Sequence, residues 1–322
     1  MTASPVAESQ LADRLRRIFR AYRYAPFCPG HGLMRRAFRS VIDRHQLVRL
    51  RNGIRLELDL ESNVQQSIFW GDGDYDLPLQ WVVRELLPFG ASCVDCGANC
   101  GYIGLLARRF REAPVWFVEP HPRLAALIRR NVALNGWERS CTMVEAAASD
   151  RDGEATLFEH ARMDGSHSLL PDWCREAPDI ATPPTEIKVP LGTLPSLLGE
   201  RPDLEKIGLL KIDAEGHDFT VLKGLGSWLD PRRIGIIHIE FGTQRSEGYA
   251  LLERAGYTGF GLPERNQRTL RRDYRDFHEG RPVALFEPLD AARHGDCETL
   301  WLPRQGPVAA YLNDLFRLAR TP

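Results

Sequence analysis

Apolar and polar residues follow a regular rhythm through the middle of this chain. From about residue 76, short and almost continuous apolar runs alternate with segments in which apolar residues recur at helical spacing, such as 76–87, 101–110 and 124–134. Continuous apolar runs are typical of parallel strands buried on both faces. The central runs end at Asp95, Glu119, Glu145, Asp213 and Glu240. The pattern therefore predicts an α/β fold in which each central strand ends in an acid.

The N-terminal part of the chain follows other patterns. Residues 11–48 are basic, and their apolar residues have helical spacing. Residues 47–60 alternate strictly between apolar and polar on both sides of Asn52-Gly53, which predicts a β-hairpin. We expect residues 1–75 to form a helical and β-hairpin extension that leads into the main domain.

The main domain is expected to span residues 76–305, with a C-terminal helical tail at 306–322. Two late strands are predicted at Thr258–Leu262 and Glu298–Leu302. Residues 151–200 interrupt the strand–helix rhythm with short β patterns and polar, proline-containing stretches. Insertions at the carboxyl edge of such sheets often build the site for a second substrate.

Composition narrows the classes of protein to be considered. The chain has 322 residues, of which 43% are hydrophobic and 26% charged, as in ordinary soluble domains. A net charge of -1 gives no support to a nucleic-acid partner. We find neither an apolar stretch that could span a bilayer nor a signal peptide, which predicts a cytoplasmic protein. The oligomeric state is left open.

The cysteine pattern also fits a cytoplasmic setting. Seven scattered cysteines, an odd number, favour reduced thiols over a disulfide framework. Cys93, Cys96 and Cys100 lie close together, but the sequence has no second closely spaced pair of cysteines or histidines that could complete a metal site. We therefore interpret them as small apolar residues and predict no metal site.

Arginines crowd the N-terminal segment and leave two interpretations open. They are Arg14, Arg16, Arg17, Arg20 and Arg23, followed by Arg35, Arg36, Arg39 and Arg44. One interpretation is a helix that packs its apolar stripe on the main domain and keeps its arginines in solvent. The other is an amphipathic helix that holds the protein at an anionic surface, such as the inner face of a membrane.

A glycine-containing turn follows the first apolar run. The segment Val94–Gly104 reads as a buried strand, a turn and the start of a helix, with glycines spaced G-x-x-x-G-x-x-G. A dinucleotide fingerprint requires G-x-G-x-x-G, and Asn99 occupies its middle position here. Asp95 would repel a pyrophosphate but would suit the cationic methionine end of S-adenosylmethionine. Glu119, at the end of the next strand, can accept hydrogen bonds from both ribose hydroxyls.

These features together resemble the FkbM-type family of S-adenosylmethionine-dependent methyltransferases. The resemblance rests on Val94–Gly104, Val118–Pro122, Ala147–Gly153 and Leu209–Gly216, with Leu222-Lys223-Gly224 downstream. It implies a Rossmann-like class I methyltransferase fold with seven strands, mostly parallel, the last pair antiparallel, and helices on both faces. It also implies S-adenosylmethionine as cofactor and O-methylation of sugars, glycolipids or polyketide-type natural products.

The resemblance also assigns residues to the cofactor. Asp95, Gly97 and Gly101 would surround its methionine end, with Asn99 adding a hydrogen bond from the same turn. Glu119 would bind the ribose. Glu145 matches a polar position near the adenine, although a solvated acid at a strand end is an equal alternative.

We expect the catalytic residues at the end of the fourth predicted strand, Ile207–Asp213. Alternation along this strand would place Lys211, Asp213 and Glu215 on one face. We expect Asp213 near the methyl group and the acceptor, and Glu215 to orient the substrate or cap the next helix. His217 and Glu240 are the next candidates for the base.

Other charged residues near these strands receive secondary interpretations. Lys211 could neutralise Asp213 or Asp95. His238 lies in an apolar strand and is expected to be a hydrogen-bonded core histidine. His121 and His167 are weaker candidates for contacts with the acceptor.

The sequence thus favours transfer of a methyl group to a sugar hydroxyl of a glycan, glycolipid or glycosylated metabolite. A non-sugar natural product with an oxygen or nitrogen acceptor is the first alternative. A nicotinamide-dependent dehydrogenase is a second, which Asn99 disfavours, and a protein that keeps the fold without the chemistry is a third. The partner in the favoured case is a small-molecule, glycan or glycolipid acceptor.

Overall fold

A computed structural model describes residues 9–23, 37–38, 40–159, 167–171, 173, 184–242, 244–262, 272–273, 275–277, 279–281, 283, 285–289, 298–308 and 310–312. Its helices are α1 (Gln10–Arg23), α2 (Asn63–Gly71), α3 (Leu77–Trp81, continued by a π-helical turn, Val82–Leu86), α4 (Tyr102–Arg111), α5 (Pro122–Leu134), α6 (Leu194–Leu198), α7 (Asp218–Gly224) and α8 (Arg245–Arg254). Its strands are β1 (His45–Arg49), β2 (Arg55–Asp59), β3 (Ser92–Cys96), β4 (Val115–Val118), β5 (Cys141–Val144), β6 (Ala147–Ala148), β7 (Gly153–Glu159), β8 (Thr185–Gly192), β9 (Ile207–Ile212), β10 (Ile237–Glu240), β11 (Tyr257–Gly261), β12 (Glu287–Pro288) and β13 (Glu298–Pro303).

A mixed sheet forms the centre of the molecule, with strand order β12-β11-β13-β10-β9-β3-β4-β5. The five strands from β10 to β5 are parallel, and β13 runs antiparallel to both β10 and β11. Every residue of β3, β4 and β9 is buried, as their continuous apolar runs predict. The mostly parallel Rossmann-like sheet is confirmed, but it has eight described strands instead of seven. The extra edge strand, β12, has only two residues and therefore no periodicity that a sequence could reveal.

The carboxyl ends of the parallel strands meet at one edge of this sheet. The turn that follows β3 touches the turn that follows β9, because Gly97 has a φ of +72° and lies directly against the Asp213 carbonyl. This close approach requires glycine, since a Cβ at Gly97 would lie 1.7 Å from that carbonyl oxygen. The two strand ends are thus held together at the position where a site is expected.

The N-terminal helix packs on α2, which belongs to the same N-terminal extension. Ala12, Arg16 and Phe19 of α1 are buried, and the Phe19 ring lies 5.2 Å from the ring of Trp70. Leu11 and Ile18 remain exposed on the outer face of α1. The packed-helix interpretation therefore holds for α1 only in part, because Arg16 is buried 3.3 Å from Asp72 instead of lying in solvent. The helical pattern ends before residue 48, because β1 begins at His45.

Several other expectations concern the flanks of the main domain. The positions of Arg35, Arg36 and Arg39, and residues 313–321 of the expected terminal helix, lie outside the described residues. The hairpin β1–β2 forms around the predicted turn. In a three-stranded sheet, β6-β8-β7, two strands come from the expected insertion and β6 lies just before it. Within the described part of the chain, no helix has the length and apolarity needed to cross a membrane.

Candidate active site

A cavity lies at the carboxyl edge of the central sheet, where β3, β4, β9 and β10 end. Seven of the ten residues predicted for the cofactor and for catalysis line it: Gly97, Asn99, Glu119, Asp213, Glu215, His217 and Glu240. The remaining three, Asp95, Gly101 and Glu145, do not line it. Side chains from distant parts of the sequence therefore share one enclosed space.

Glu119 is held in place by the turn that follows β3. Its Oε2 accepts a hydrogen bond from the Asn99 backbone N–H at 2.9 Å, and its Oε1 accepts one from the His121 backbone N–H at 3.0 Å. The residue is only 5% exposed. Both backbone donors favour the ionised carboxylate, yet burial outweighs them and raises the pKa of Glu119 to about 7. Glu119 can therefore change its charge near neutral pH.

The affinity for S-adenosylhomocysteine is expected to depend on this titration. A carboxylate accepts hydroxyl hydrogen bonds with both oxygens only when ionised, so binding should strengthen as the pH rises through about 7. Below that pH the affinity should fall by up to about tenfold per pH unit. Titration calorimetry across this range measures it. Glu119→Gln, which cannot ionise, should bind weakly with no such slope, and an equal slope in this variant would contradict the assignment.

Asp95 lies beneath the cavity instead of facing it. The side chain is fully buried, and its Oδ2 accepts a hydrogen bond from the Gly104 backbone N–H at 2.9 Å. Its Oδ1 lies 3.3 Å from Lys211 Nζ. Both oxygens face groups of the protein and Asp95 does not line the cavity, so its contact with the methionine end of the cofactor stays a prediction. Asp95 anchors the first turn of α4 and the Lys211 side chain.

Gly101 and Glu145 also lie away from the cavity. Gly101 packs toward Phe117 and Ile128, where an added Cβ would come within 3.3 Å of either side chain. Glu145 pairs with Arg129 across a distance of 2.9 Å, and both side chains are partly exposed. Of the two interpretations of Glu145, the solvated acid at a strand end is the one that the structure shows. The neighbouring Ala146 lines the cavity in its place.

Lys211 joins the two strand ends through three partners. Its Nζ donates to the Gly97 carbonyl at 2.8 Å and lies 3.3 Å from both Asp95 and Asp213. Burial disfavours the ammonium, but the carboxylates of Asp213 and Asp95 outweigh that cost and hold the pKa of Lys211 well above its usual range. Of the two paired acids, only Asp213 is open to the cavity, with its side chain 36% exposed.

Glu215 does not share a strand face with Lys211 and Asp213, because β9 ends at Ile212. Glu215 lies in the following turn with a φ of +48°. Its role as a helix cap is also wrong: the N-cap position of α7 is His217, and among the described residues no side chain caps the helix there. Burial and the nearby Asp213 raise the pKa of Glu215 to about 8.

Trp173 is a partner of Glu215 that sequence reasoning missed. Its indole N–H donates to Glu215 Oε2 at 2.9 Å, and Ser168 Oγ donates to the Glu215 carbonyl at 2.7 Å. The indole packs so closely on Gly216 and Gly242 that a Cβ at either glycine would overlap it. In the sequence, the glycines in the turns after these two neighbouring strands were the one sign that a large side chain packs there. Ser168 and Trp173 thereby connect the insertion to the edge of the sheet that carries the cavity.

His217 and Asp76 line other parts of the cavity wall. His217 Nε2 lies 3.0 Å from Ser149 Oγ, and burial lowers the pKa of this histidine, so it is neutral at pH 7. Asp76 precedes α3 with a φ of +50° and accepts a hydrogen bond from the Leu79 backbone N–H. Sequence reasoning placed Asp76 only at the start of a helix and missed its place in the cavity wall.

His121, Glu159 and His167 form the one group among the described residues whose potential metal-ligand atoms lie within 4.8 Å of one another. His121 Nδ1 accepts a hydrogen bond from the Arg123 backbone N–H at 3.2 Å. The ring proton of neutral His121 therefore sits on Nε2, which faces Glu159 at 3.2 Å. A protonated nitrogen is no metal ligand, so this geometry favours a histidine–carboxylate pair. His167 lines the cavity and His121 does not.

The three central cysteines are buried and free, and burial raises the pKa of Cys93 and Cys96. The thiols of Cys93 and Cys96 are therefore neutral, and all three cysteines pack among apolar side chains. Cys28, Cys174 and Cys297 lie outside the described residues.

Comparison with known proteins decides the family. The model of the methyltransferase FkbM domain matches residues 95–270, more than half of the chain. The chain belongs to the FkbM methyltransferase family. Membership makes it an enzyme that uses S-adenosylmethionine, and it removes the nicotinamide-dependent dehydrogenase from consideration.

Two curated relatives are also methyltransferases. Methyltransferase sdnD of Sordaria araneosa is 28% identical over 194 residues, which covers 53% of this chain and 75% of that protein. Methyltransferase 1 of Beauveria bassiana (strain ARSEF 2860) is 27% identical over 150 residues, covering 43% of this chain and 59% of that protein. This FkbM methyltransferase therefore matches only part of each relative.

Solved structures with low sequence identity are also similar to this chain. M. capricolum TrmK in complex with S-adenosyl-homocysteine has a TM-score of 0.37 and 9% identity, covering 70% of this chain and 66% of that one. P. horikoshii TYW2 in complex with MeSAdo has a TM-score of 0.38 and 14% identity, covering 81% of this chain and 70% of that one.

Proposed function

We propose that this FkbM methyltransferase transfers a methyl group to a hydroxyl of a sugar in a glycan, glycolipid or glycosylated metabolite. The observation that carries the proposal is the open carboxylate of Asp213 in the same cavity as Glu119 and Glu240. Carboxylates accept hydrogen bonds and donate none when ionised, so they suit a partner that presents several hydroxyl donors.

The cavity residues fit the cofactor of the family. Glu119 is positioned by two backbone N–H groups and is available for the ribose hydroxyls. Apolar side chains along one wall suit the adenine, among them Leu124, Ala146, Ala147 and Leu157. Gly97 and Asn99 would hold the methionine end. When bound, S-adenosylmethionine supplies a methyl group on a sulfonium, which is a good leaving group.

Asp213 is the group that we assign to the acceptor. The Asp213 carboxylate would accept the proton that the acceptor hydroxyl loses when its oxygen takes the methyl group. Lys211 fixes the position of Asp213 from below, at 3.3 Å. Glu240 ends the neighbouring strand and orients a second hydroxyl, while neutral His217 is the alternative base. Orientation supplies much of the rate in a displacement of this kind.

A panel of matched acceptors tests the proposal. The enzyme is incubated with S-adenosylmethionine and either methyl glycosides or their deoxy counterparts, and the products are analysed by mass spectrometry. We expect a methylated glycoside whose formation ceases when one particular hydroxyl is removed. Methylation of non-sugar alcohols or amines, with none of any glycoside, would contradict the proposed acceptor.

A further inference from the structure

Three acids line the acceptor side of the cavity, Asp76, Asp213 and Glu240, and we call these three together with the neighbouring Glu298 the acid cluster. Glu240 lies directly opposite Glu298 in the antiparallel pair of β10 and β13. Asp213 follows Ile212, which pairs with Ile239 next to Glu240. Like charges directly opposite each other in a sheet are destabilising unless something compensates them.

Among the described residues, Lys211 pairs with one member of the cluster, Asp213, and no lysine or arginine pairs with Asp76, Glu240 or Glu298. Lys211 is engaged with Asp95, Asp213 and the Gly97 carbonyl. Burial, followed by the charges of neighbouring members of the cluster, raises the pKa values of Asp76, Glu240 and Glu298 to about 7 each. The ligand-free cluster thus carries excess negative charge above neutral pH.

His238 provides a second and independent observation. This residue is only 3% exposed, and neither ring nitrogen has a hydrogen-bond partner within the part of the chain that the structure describes. Its Nε2 lies 3.6 Å from Glu298 Oε2, which also lacks a hydrogen-bond partner there. The expectation of a hydrogen-bonded core histidine is therefore wrong. Buried polar atoms without hydrogen-bond partners are uncommon in folded proteins, and here they lie beside the acids of the cluster.

Two members of the cluster come from outside the domain that the family model matches. Asp76 precedes residues 95–270 and Glu298 follows them. The charge of the acceptor side is therefore partly set by the flanking segments of this chain. Flanking segments are where differences in acceptor choice are expected, since the matched domain carries Glu119 and Asp213.

We propose that the acid cluster binds the ammonium of a basic acceptor, such as an amino sugar, and thereby presents a neighbouring hydroxyl to Asp213. The inference rests on the proposed function. A directly coordinated metal ion fits less well, because carboxylate oxygens of the cluster are not among the groups within 4.8 Å of one another in the described residues. An organic ammonium needs no such convergence, since it can be recognised by the summed field of several carboxylates.

Binding of matched sugars to the enzyme loaded with S-adenosylhomocysteine tests the inference. The probes are the 3-, 4- and 6-amino-deoxy isomers of glucose, glucose itself and the corresponding acetamido sugars. Saturation-transfer NMR at about pH 7.5 leaves a large fraction of both the sugar amines and the cluster carboxyls charged, with Lys211, Glu215 and His238 as the other titratable groups that face the cluster. We expect at least one amine to bind about tenfold more tightly than glucose or its acetamide.

Variants link the preference to the cluster. Glu298→Gln and Asp76→Asn should each abolish most of the preference for the amine, whereas Glu253→Gln, at an exposed site on α8, should retain it. S-adenosylhomocysteine binding by the same variants shows that the fold and the cofactor site are intact. Should one variant fail to fold, the other carries the test.

The outcomes separate this inference from the proposed function. Equal binding of amines and neutral sugars would overturn the inference, and so would tight binding of Mg²⁺ that abolishes the amine preference. Methylation of neutral glycosides would then leave the proposed function standing. Conversely, an amine preference without methylation of any sugar would support the acid cluster and contradict sugar O-methylation.

Discussion

Gly97→Ala is expected to abolish both S-adenosylhomocysteine binding and methyl transfer. Gly97 has a φ of +72°, and an added Cβ would lie 1.7 Å from the Asp213 carbonyl oxygen. The obstacle is backbone, which cannot rotate aside as a side chain can. The turn after β3 must therefore separate from the turn after β9, which carries Asp213. We expect a loss of stability of about 3 kcal/mol or more together with the loss of binding.

Gly136→Ala is the matched control for this substitution. Gly136 has a similar φ of +69°, but no atom lies within 4 Å of an added Cβ. This variant suffers only the backbone strain, about 1 kcal/mol, and should bind S-adenosylhomocysteine as the unaltered protein does. Calorimetry and thermal unfolding of both variants separate strain from overlap. Normal binding by Gly97→Ala would show that the two turns are not in the contact described.

Asp213→Asn is expected to lower kcat by about a thousandfold, since asparagine cannot accept the proton of the acceptor. S-adenosylhomocysteine binding should persist, because Glu119 and the turn after β3 are unchanged. Lys211 keeps Asp95 and the Gly97 carbonyl as partners, so the fold should survive. Single-turnover assays with saturating substrates measure the chemical step apart from binding.

Asp230→Asn controls for the loss of an ion pair. Asp230 pairs with Arg232 at an exposed site away from the cavity, and its replacement should leave kcat unchanged. If Asp213→Asn retained full turnover, the base would have to be sought at His217 or Glu240. If both variants lost activity equally, the effect would lie in stability and not in proton transfer.

The strands and their acidic ends could be predicted because burial on both faces leaves a continuous apolar run in the sequence. Glu119, Asp213 and Glu240 reach one cavity because parallel strands end at the same edge. The same reasoning placed Asp95 in the cavity as well. Its side chain instead lies beneath the cavity, where it pairs with Lys211.

Contacts between separate segments could not be predicted in this way. Asp76 belongs to a loop, and Trp173 to an insertion without periodicity. Glu298 opens a late strand, and only its cross-strand register reveals that it faces Glu240. The length of β9 mattered as well: because the strand ends at Ile212, Glu215 leaves the face that alternation assigned to it.

The central claim, methyl transfer to a sugar oxygen in this cavity, is tested most directly by following a ¹³C-labelled methyl group from S-adenosylmethionine to product by NMR. The carbon chemical shift distinguishes an O-methyl from an N-, C- or S-methyl group. With the glycoside and amino sugar panels, we expect the signal of a methyl group on a sugar oxygen, and we expect this signal to be absent with Asp213→Asn. An N-methyl signal, or an O-methyl signal undiminished in Asp213→Asn, would contradict the account.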